Sequence, residues 1–113
     1  MSKRLPKLYL EDIVNSIDNI EKYIEKLLLE DLEKDQKTFD AVVRNIEIIG
    51  EAAKNLPEEY KEKNSEIPWN EIVAMRNKVI HEYFGVSMSV LWQTIKVDLP
   101  KLKKQIEKLL KLQ

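Results

Sequence analysis

Four side chains between positions 76 and 83 concentrate the reactive chemistry of this sequence: Arg76, Asn77, His81 and Tyr83. His81 is the only histidine, and there is no cysteine. An imidazole with an ordinary pKa near ~6.5 gives or takes a proton at neutral pH. A guanidinium stays charged and offers a planar fork of donors that matches a phosphate. The amide of Asn77 can orient either group, and the phenol of Tyr83 adds a hydroxyl. These residue types can move a proton and hold an anion, but they do not by themselves name a reaction. One histidine and no cysteine leave only carboxylates as metal ligands, and they form no tight cluster along the chain. No metal site and no cofactor are expected.

Spacing says how the four could meet. With about 100° per helical residue and Trp69 at zero, Ile72, Met75, Val79 and Tyr83 share one flank of a helix. Val73 and Ile80 fall on the other flank, and Arg76 lands at about 340°, inside the apolar arc. His81 lies about 140° from Arg76, with Asn77 between them and one turn below His81. Tyr83 shares the Arg76 stripe two turns on, so all four could line one groove edge. A buried guanidinium without a partner is costly, so Arg76 requires a carboxylate or an opening onto a cleft. Glu47 and Glu51 stand one turn apart, with Arg44 and Lys54 nearby. They could serve the cleft, or simply form a solvated charged face. Spacing alone favours a structural role and names no function, with Arg76 ion-paired, His81 near a helix C-terminus and Trp69 and Tyr83 in the core.

The elements that would carry these residues read as helices throughout. Leu10, Ile13, Ile17, Ile20, Ile24, Leu27 and Leu28 recur at spacings of three and four, predicting a helix from about Tyr9 to Glu30. The polar stretch Asp31 to Lys37 breaks that stripe, and Asp35 to Thr38 suits the start of a second helix. The second helix, from about Thr38 to Leu56, carries Phe39, Val42, Val43, Ile46, Ile49 and Ala53. Ala41, Ile48 and Ala52 lie opposite. Gly50 costs about 1 kcal/mol against alanine inside a helix, which a close helix–helix approach would explain. Pro57 ends this helix, and Glu58 to Ser65 has room for one short turn. A third helix starts at Ile67-Pro68-Trp69 and runs to about Glu82 or Tyr83, stopping near Gly85. Ser87 is a candidate N-cap for a fourth, with Met88, Leu91, Trp92 and Ile95. Asp98 and Pro100 signal a fresh start or a kink before the stripe Leu99, Leu102, Ile106, Leu109 and Leu110. The Lys pairs near Lys103 and Lys111 are expected to solvate this last helix.

Length and composition agree with that pattern. The 113 residues suit one domain spanning 1–113. Hydrophobic residues are 43% and charged residues 35%, with 2 Gly and 4 Pro, which means few turns and long helices. The expected fold class is all-α: an antiparallel bundle of four to five helices. Absent cysteines fit a reducing, cytoplasmic setting. No apolar run approaches the ~20 residues of a membrane span, and the charged N-terminal segment is not a signal peptide. The net charge of −1 argues mildly against a protein whose affinity rests on phosphate contacts alone, although it cannot see a local basic cleft.

The run PWNEIVAMRNKVIHEYFG, residues 68–85, resembles the signature of HepT-type toxins of the HEPN superfamily. Their motif is Arg, four residues, His, one residue, Tyr, and Arg76, His81 and Tyr83 stand in that register. The upstream segment Arg44 to Ala53 resembles the family's second helix. Leu91-Trp92 and Asp98-Leu99-Pro100 resemble its usual tail. The resemblance spans nearly the whole chain.

This resemblance implies a HEPN-like homodimeric helical bundle, an RNase toxin that cleaves RNA without metal, with two Arg–His motifs facing each other across the dimer cleft. It implies a partner in a type VII-like toxin–antitoxin pair: a minimal nucleotidyltransferase antitoxin that attaches AMP to the motif tyrosine, here Tyr83. RNA is the implied substrate, and neither DNA nor a membrane is an expected partner. Such cleavage uses the substrate's own 2′-hydroxyl as nucleophile. His81 takes one proton role, Arg76 clamps the phosphate, and Asn77 supports either. The second proton carrier then comes from a second subunit, from Tyr83 or from water; a dimer supplies it most simply. The rival readings are a non-catalytic HEPN module that binds nucleotide or tethers the nucleotidyltransferase, and a plain scaffold with Arg76 paired to Glu47 or Glu51.

Overall fold

The computed structural model describes residues 4–81 and 87–112, residues 80 and 81 by their backbone alone. Among these residues the chain is helical, with no strand. Four long segments dominate: α1 (Pro6–Ile24), α3 (Gln36–Asn55), α5 (Trp69–His81) and α7 (Leu99–Lys111). Short helices α2 (Leu29–Lys34), α4 (Glu58–Lys63) and α6 (Met88–Gln93) join them. The all-α bundle expected from the sequence is what forms. Helix α3 is central, packed against α1 on one side and α5 on the other, and α7 closes onto α1. Among the described residues no helix is long and apolar enough to cross a membrane.

The apolar stripes make the core as their spacing requires. Leu10, Ile13, Ile17 and Ile20 of α1 meet Val42, Ile46 and Ile49 of α3, all fully buried. Ile95, Leu99, Leu102, Ile106 and Leu109 cover them from the C-terminal arm. One polar contact crosses this layer. The buried Asn45 donates to the carbonyl of Ala41 at 2.9 Å and accepts from Asn19 at 3.2 Å.

The structure departs from the expected elements in four places. First, α1 ends at Ile24, not Glu30, and a separate helix begins at Leu29. Asp31, read as a breaker, accepts a hydrogen bond from the backbone N–H of Leu28 at 2.8 Å. A carboxylate at that offset satisfies an orphan donor and starts a helix. Leu32 then turns into the core, while Leu28 is left exposed. Second, Ser87 occupies the N-cap position of α6, but its hydroxyl meets Ser89 Oγ at 2.9 Å and caps no backbone N–H.

Third, α7 does start afresh at Leu99 with Pro100 in its first turn, but the Asp98 side chain caps no backbone N–H and the chain enters without a break. Residues Thr94–Asp98 form a π-helical turn linking α6 to α7. The N–H of Leu99 reaches back to the carbonyl of Thr94, five residues earlier. Pro100 has no N–H, and a widened turn absorbs the missing rung. The Thr94 hydroxyl bonds the carbonyl of Val90 at 3.0 Å just before it. Fourth, Lys103 is not a solvating residue. Its ammonium sits 2.6 Å from Asp18 and 3.5 Å from Glu21, tying α7 to α1. The hydrogen bond to Asp18 raises its pKa against the opposing effect of desolvation.

The start of α3 is the one the sequence anticipates. Asp35 accepts from the backbone N–H of Thr38 at 3.1 Å and from its hydroxyl at 2.6 Å. These bonds hold the Asp35 carboxyl below its ordinary value of 3.8, the Thr38 hydroxyl contributing most. The stabilisation is therefore complete above the ordinary value and is lost as pH falls through the lower folded one. Asp35→Ala is expected to lower the thermal midpoint at neutral pH, with the gap from wild type closing in acid. Thermal melts by circular dichroism between neutral pH and pH 2 check this.

Candidate active site

Helix α5 starts cleanly. The carbonyl of Pro68 accepts the N–H of Ile72 at 3.1 Å, and the indole of Trp69 donates to the carbonyl of Asn64 at 3.0 Å. Trp69, Ile72 and Val79 are buried and Met75 partly so, which makes Trp69 a core residue and bears out the flank read from spacing except for its fourth member, Tyr83, which lies outside the described residues. This packing presses α5 onto α3 and fixes where Arg76 emerges.

Arg76 lies across α3 at Gly50. A Cβ added to Gly50 would overlap the Cβ and Cγ of Arg76 and stand 3.1 Å from its Nε. The helices approach so closely there because residue 50 has no side chain. The arginine side chain is left only 12% exposed. Its Nε is buried with no hydrogen-bond partner among the described residues. Its Nη2 is 3.6 Å from Glu51 Oε1, an ion pair longer than a hydrogen bond, to a side chain that is 53% exposed. Of the two acids that could meet Arg76, the structure selects Glu51. Glu47 pairs instead with Arg44 at 3.0 Å on an exposed face of α3.

Asn77 follows Arg76 on α5 and is partly buried. His81 is the last residue of α5, one turn above Asn77. The His81 side chain, Tyr83 and the expected helix stop near Gly85 lie outside the described residues. The structure thus places Arg76, Asn77 and the His81 position on one helix, and adds Gly50 and Glu51 from its neighbour. Sequence reading left Glu51 undecided against Glu47. The usable signal was Gly50 beside it, since a glycine inside a helix marks the side of closest approach.

A separate cleft of about 700 Å³ opens on the other flank of α5, between it and the α6–α7 arm. Ile72, Met75 and Val79 form one wall, with Val90, Leu91 and Leu102 opposite. Arg76, Asn77 and Glu51 do not line it. Among the described residues no group of three His, Cys, Asp or Glu side chains gathers as a metal-binding set.

Comparison with known proteins places this arrangement. Residues 13–109 match the family described as Ribonuclease HepT-like. The chain belongs to that family. It is 51% identical over 109 residues to a protein of Thermococcus cleftensis named "Probable ribonuclease HepT", covering 96% of this chain and 99% of that one. It is 45% identical over 107 residues to a protein of Caldanaerobacter subterraneus subsp. tengcongensis named "Putative RNase", covering 95% and 96%. No solved structure matches it. The family resemblance read from the motif and its flanks is therefore correct.

The crossing carries a prediction whose sign is diagnostic. Gly→Ala inside a helix ordinarily stabilises by about 1 kcal/mol. Gly50→Ala is expected to destabilise instead, because the near end of the Arg76 side chain cannot swing away as a long tip can. The midpoint of urea unfolding should fall; a rise would show that α3 and α5 are not held this close.

Proposed function

We propose that this chain is a metal-independent endoribonuclease toxin that works as a homodimer. The observation that carries this reading is Arg76: a nearly buried guanidinium, pressed into a helix crossing, with an unpartnered Nε and only a loose ion pair among the described residues. A purely structural arginine would be sealed by hydrogen-bonded carboxylates. The family and its ribonuclease-named relatives support the same conclusion.

In this mechanism the RNA 2′-oxygen attacks the adjacent phosphorus as its proton passes to a base. The bond from phosphorus to the 5′-oxygen breaks, and that oxygen takes a proton from an acid. The products are a 2′,3′-cyclic phosphate and a free 5′-hydroxyl. Arg76 offsets the charge building on the phosphorane oxygens. His81 carries one of the two protons, and Asn77 orients the phosphate or the imidazole. The chain has a single histidine. A two-fold dimer that brings two His81 side chains to one groove supplies both proton carriers. DNA, lacking the 2′-hydroxyl, is not a substrate on this route.

Control falls to Tyr83 and a nucleotidyltransferase antitoxin. The Tyr83 oxygen attacks the α-phosphate of ATP, pyrophosphate leaves, and the phenolic proton goes to solvent. The attached AMP brings a negative charge that competes for Arg76 and a base that fills the groove. RNA is then excluded while the bundle stays folded.

Arg76→Ala and His81→Ala are each expected to lower RNA cleavage by at least about a hundredfold with the helical circular dichroism unchanged. Wild-type cleavage should persist in EDTA; loss on chelation with recovery in magnesium would refute the metal-free route. Light scattering at micromolar concentration should report a dimer, and an active monomer would remove the shared groove. Intact-mass analysis after co-expression with the cognate nucleotidyltransferase should show added AMP on wild type and none on Tyr83→Phe. Additions that survive in Tyr83→Phe would place the acceptor elsewhere.

A further inference from the structure

Arg76 is held at two points by consecutive residues of α3. Gly50 lies under the stem, where its missing Cβ leaves room for the Arg76 Cβ and Cγ. Glu51 faces the head, with its Oε1 3.6 Å from Nη2. The stem is thus fixed by the α3 backbone, which leaves the rotation of the guanidinium head to be set by the head's own contacts. Nε cannot set that rotation, because it is buried and without an acceptor among the described residues. Among the described residues, the charge of Glu51 is what remains to set it. Glu51 is half-exposed, so packing does not clamp it there; attraction to the cation does. At this separation the carboxylate attracts without accepting a hydrogen bond, and it leaves the Nη donors available to a phosphate.

We propose that Glu51 is a positioning residue for RNA cleavage: it orients the Arg76 guanidinium, on the Gly50 platform, while leaving its donors open to the scissile phosphate. This rests on the ribonuclease reading above. A residue that binds substrate would act on KM. A positioning residue acts on kcat, and removing its negative charge beside a phosphate site leaves KM unchanged or lower.

The test compares Glu51→Gln, which keeps shape and loses charge, with Glu51→Asp, which keeps charge and loses one methylene. On a short RNA, Glu51→Gln should lower kcat about tenfold or more without raising KM, and Glu51→Asp should retain more of kcat than Glu51→Gln. A merely structural role would favour the isosteric glutamine. A second readout needs no RNA. The chain has three arginines, Arg4, Arg44 and Arg76, so the Arg76 Nε–H resonance can be assigned by its loss in Arg76→Lys. Its exchange with solvent should be slow in wild type and faster in Glu51→Gln. Wild-type kcat and exchange in Glu51→Gln, or a raised KM at constant kcat, would overturn the proposal. If wild type cleaves no RNA, the ribonuclease reading fails. The exchange measurement then still decides: faster exchange in Glu51→Gln supports the hold on Arg76, and unchanged exchange removes it.

Discussion

The crossing of α3 and α5 at Gly50 is the contact on which the rest of the site depends. A guanidinium is expensive to take out of water, and helices pack closely only where small residues let them. Here the two requirements meet at one position. The Arg76 stem fills the volume that a side chain at position 50 would otherwise take. The charge is thereby held against the bundle with its head at the edge. Any residue larger than glycine would widen the crossing and let the arginine swing into solvent.

The surrounding bundle serves to hold that crossing. Helix α3 cannot shift, because its opposite face is locked onto α1 by fully buried isoleucines and by the Asn19–Asn45 hydrogen bond. Asp35 fixes where α3 begins, and thus the height at which Gly50 and Glu51 arrive. Trp69 anchors the start of α5 through its indole N–H, and thus the height at which Arg76 arrives. The C-terminal arm absorbs Pro100 in a π-helical turn rather than a break, so α7 stays on α1. Its Lys103 adds a charged tie to Asp18 and Glu21. Each device acts far from Arg76, yet each sets its coordinates.

The cleft and the arginine lie on different flanks of α5. The roomy cavity beside α5 is lined by apolar and charged residues alike and excludes Arg76. Arg76 sits instead at the α3–α5 crossing, outside that cavity. The proposed dimer would bring a second surface to the Arg76 side of α5.

Periodicity of three and four was enough to identify the long helices, because each must bury one stripe and the stripes are uninterrupted. The Asp35 cap, the stop at Pro57 and the close approach at Gly50 were also legible, since each residue type has few other uses in that position. The family was legible from Arg76, His81 and Tyr83 in register with their flanks. What the sequence could not decide was local competition. Whether Asp31 breaks a helix or starts one depends on which backbone N–H comes within its reach. Whether Lys103 solvates or pairs depends on what α1 presents. Whether Glu47 or Glu51 meets Arg76 depends on the rotation of α3, and both acids carry the same charge one turn apart. Those choices are made by interhelical geometry, because a charge finds its partner only after packing has set the distances. The residue types able to do chemistry were written in the chain; which of them share a site was decided when α5 closed onto α3.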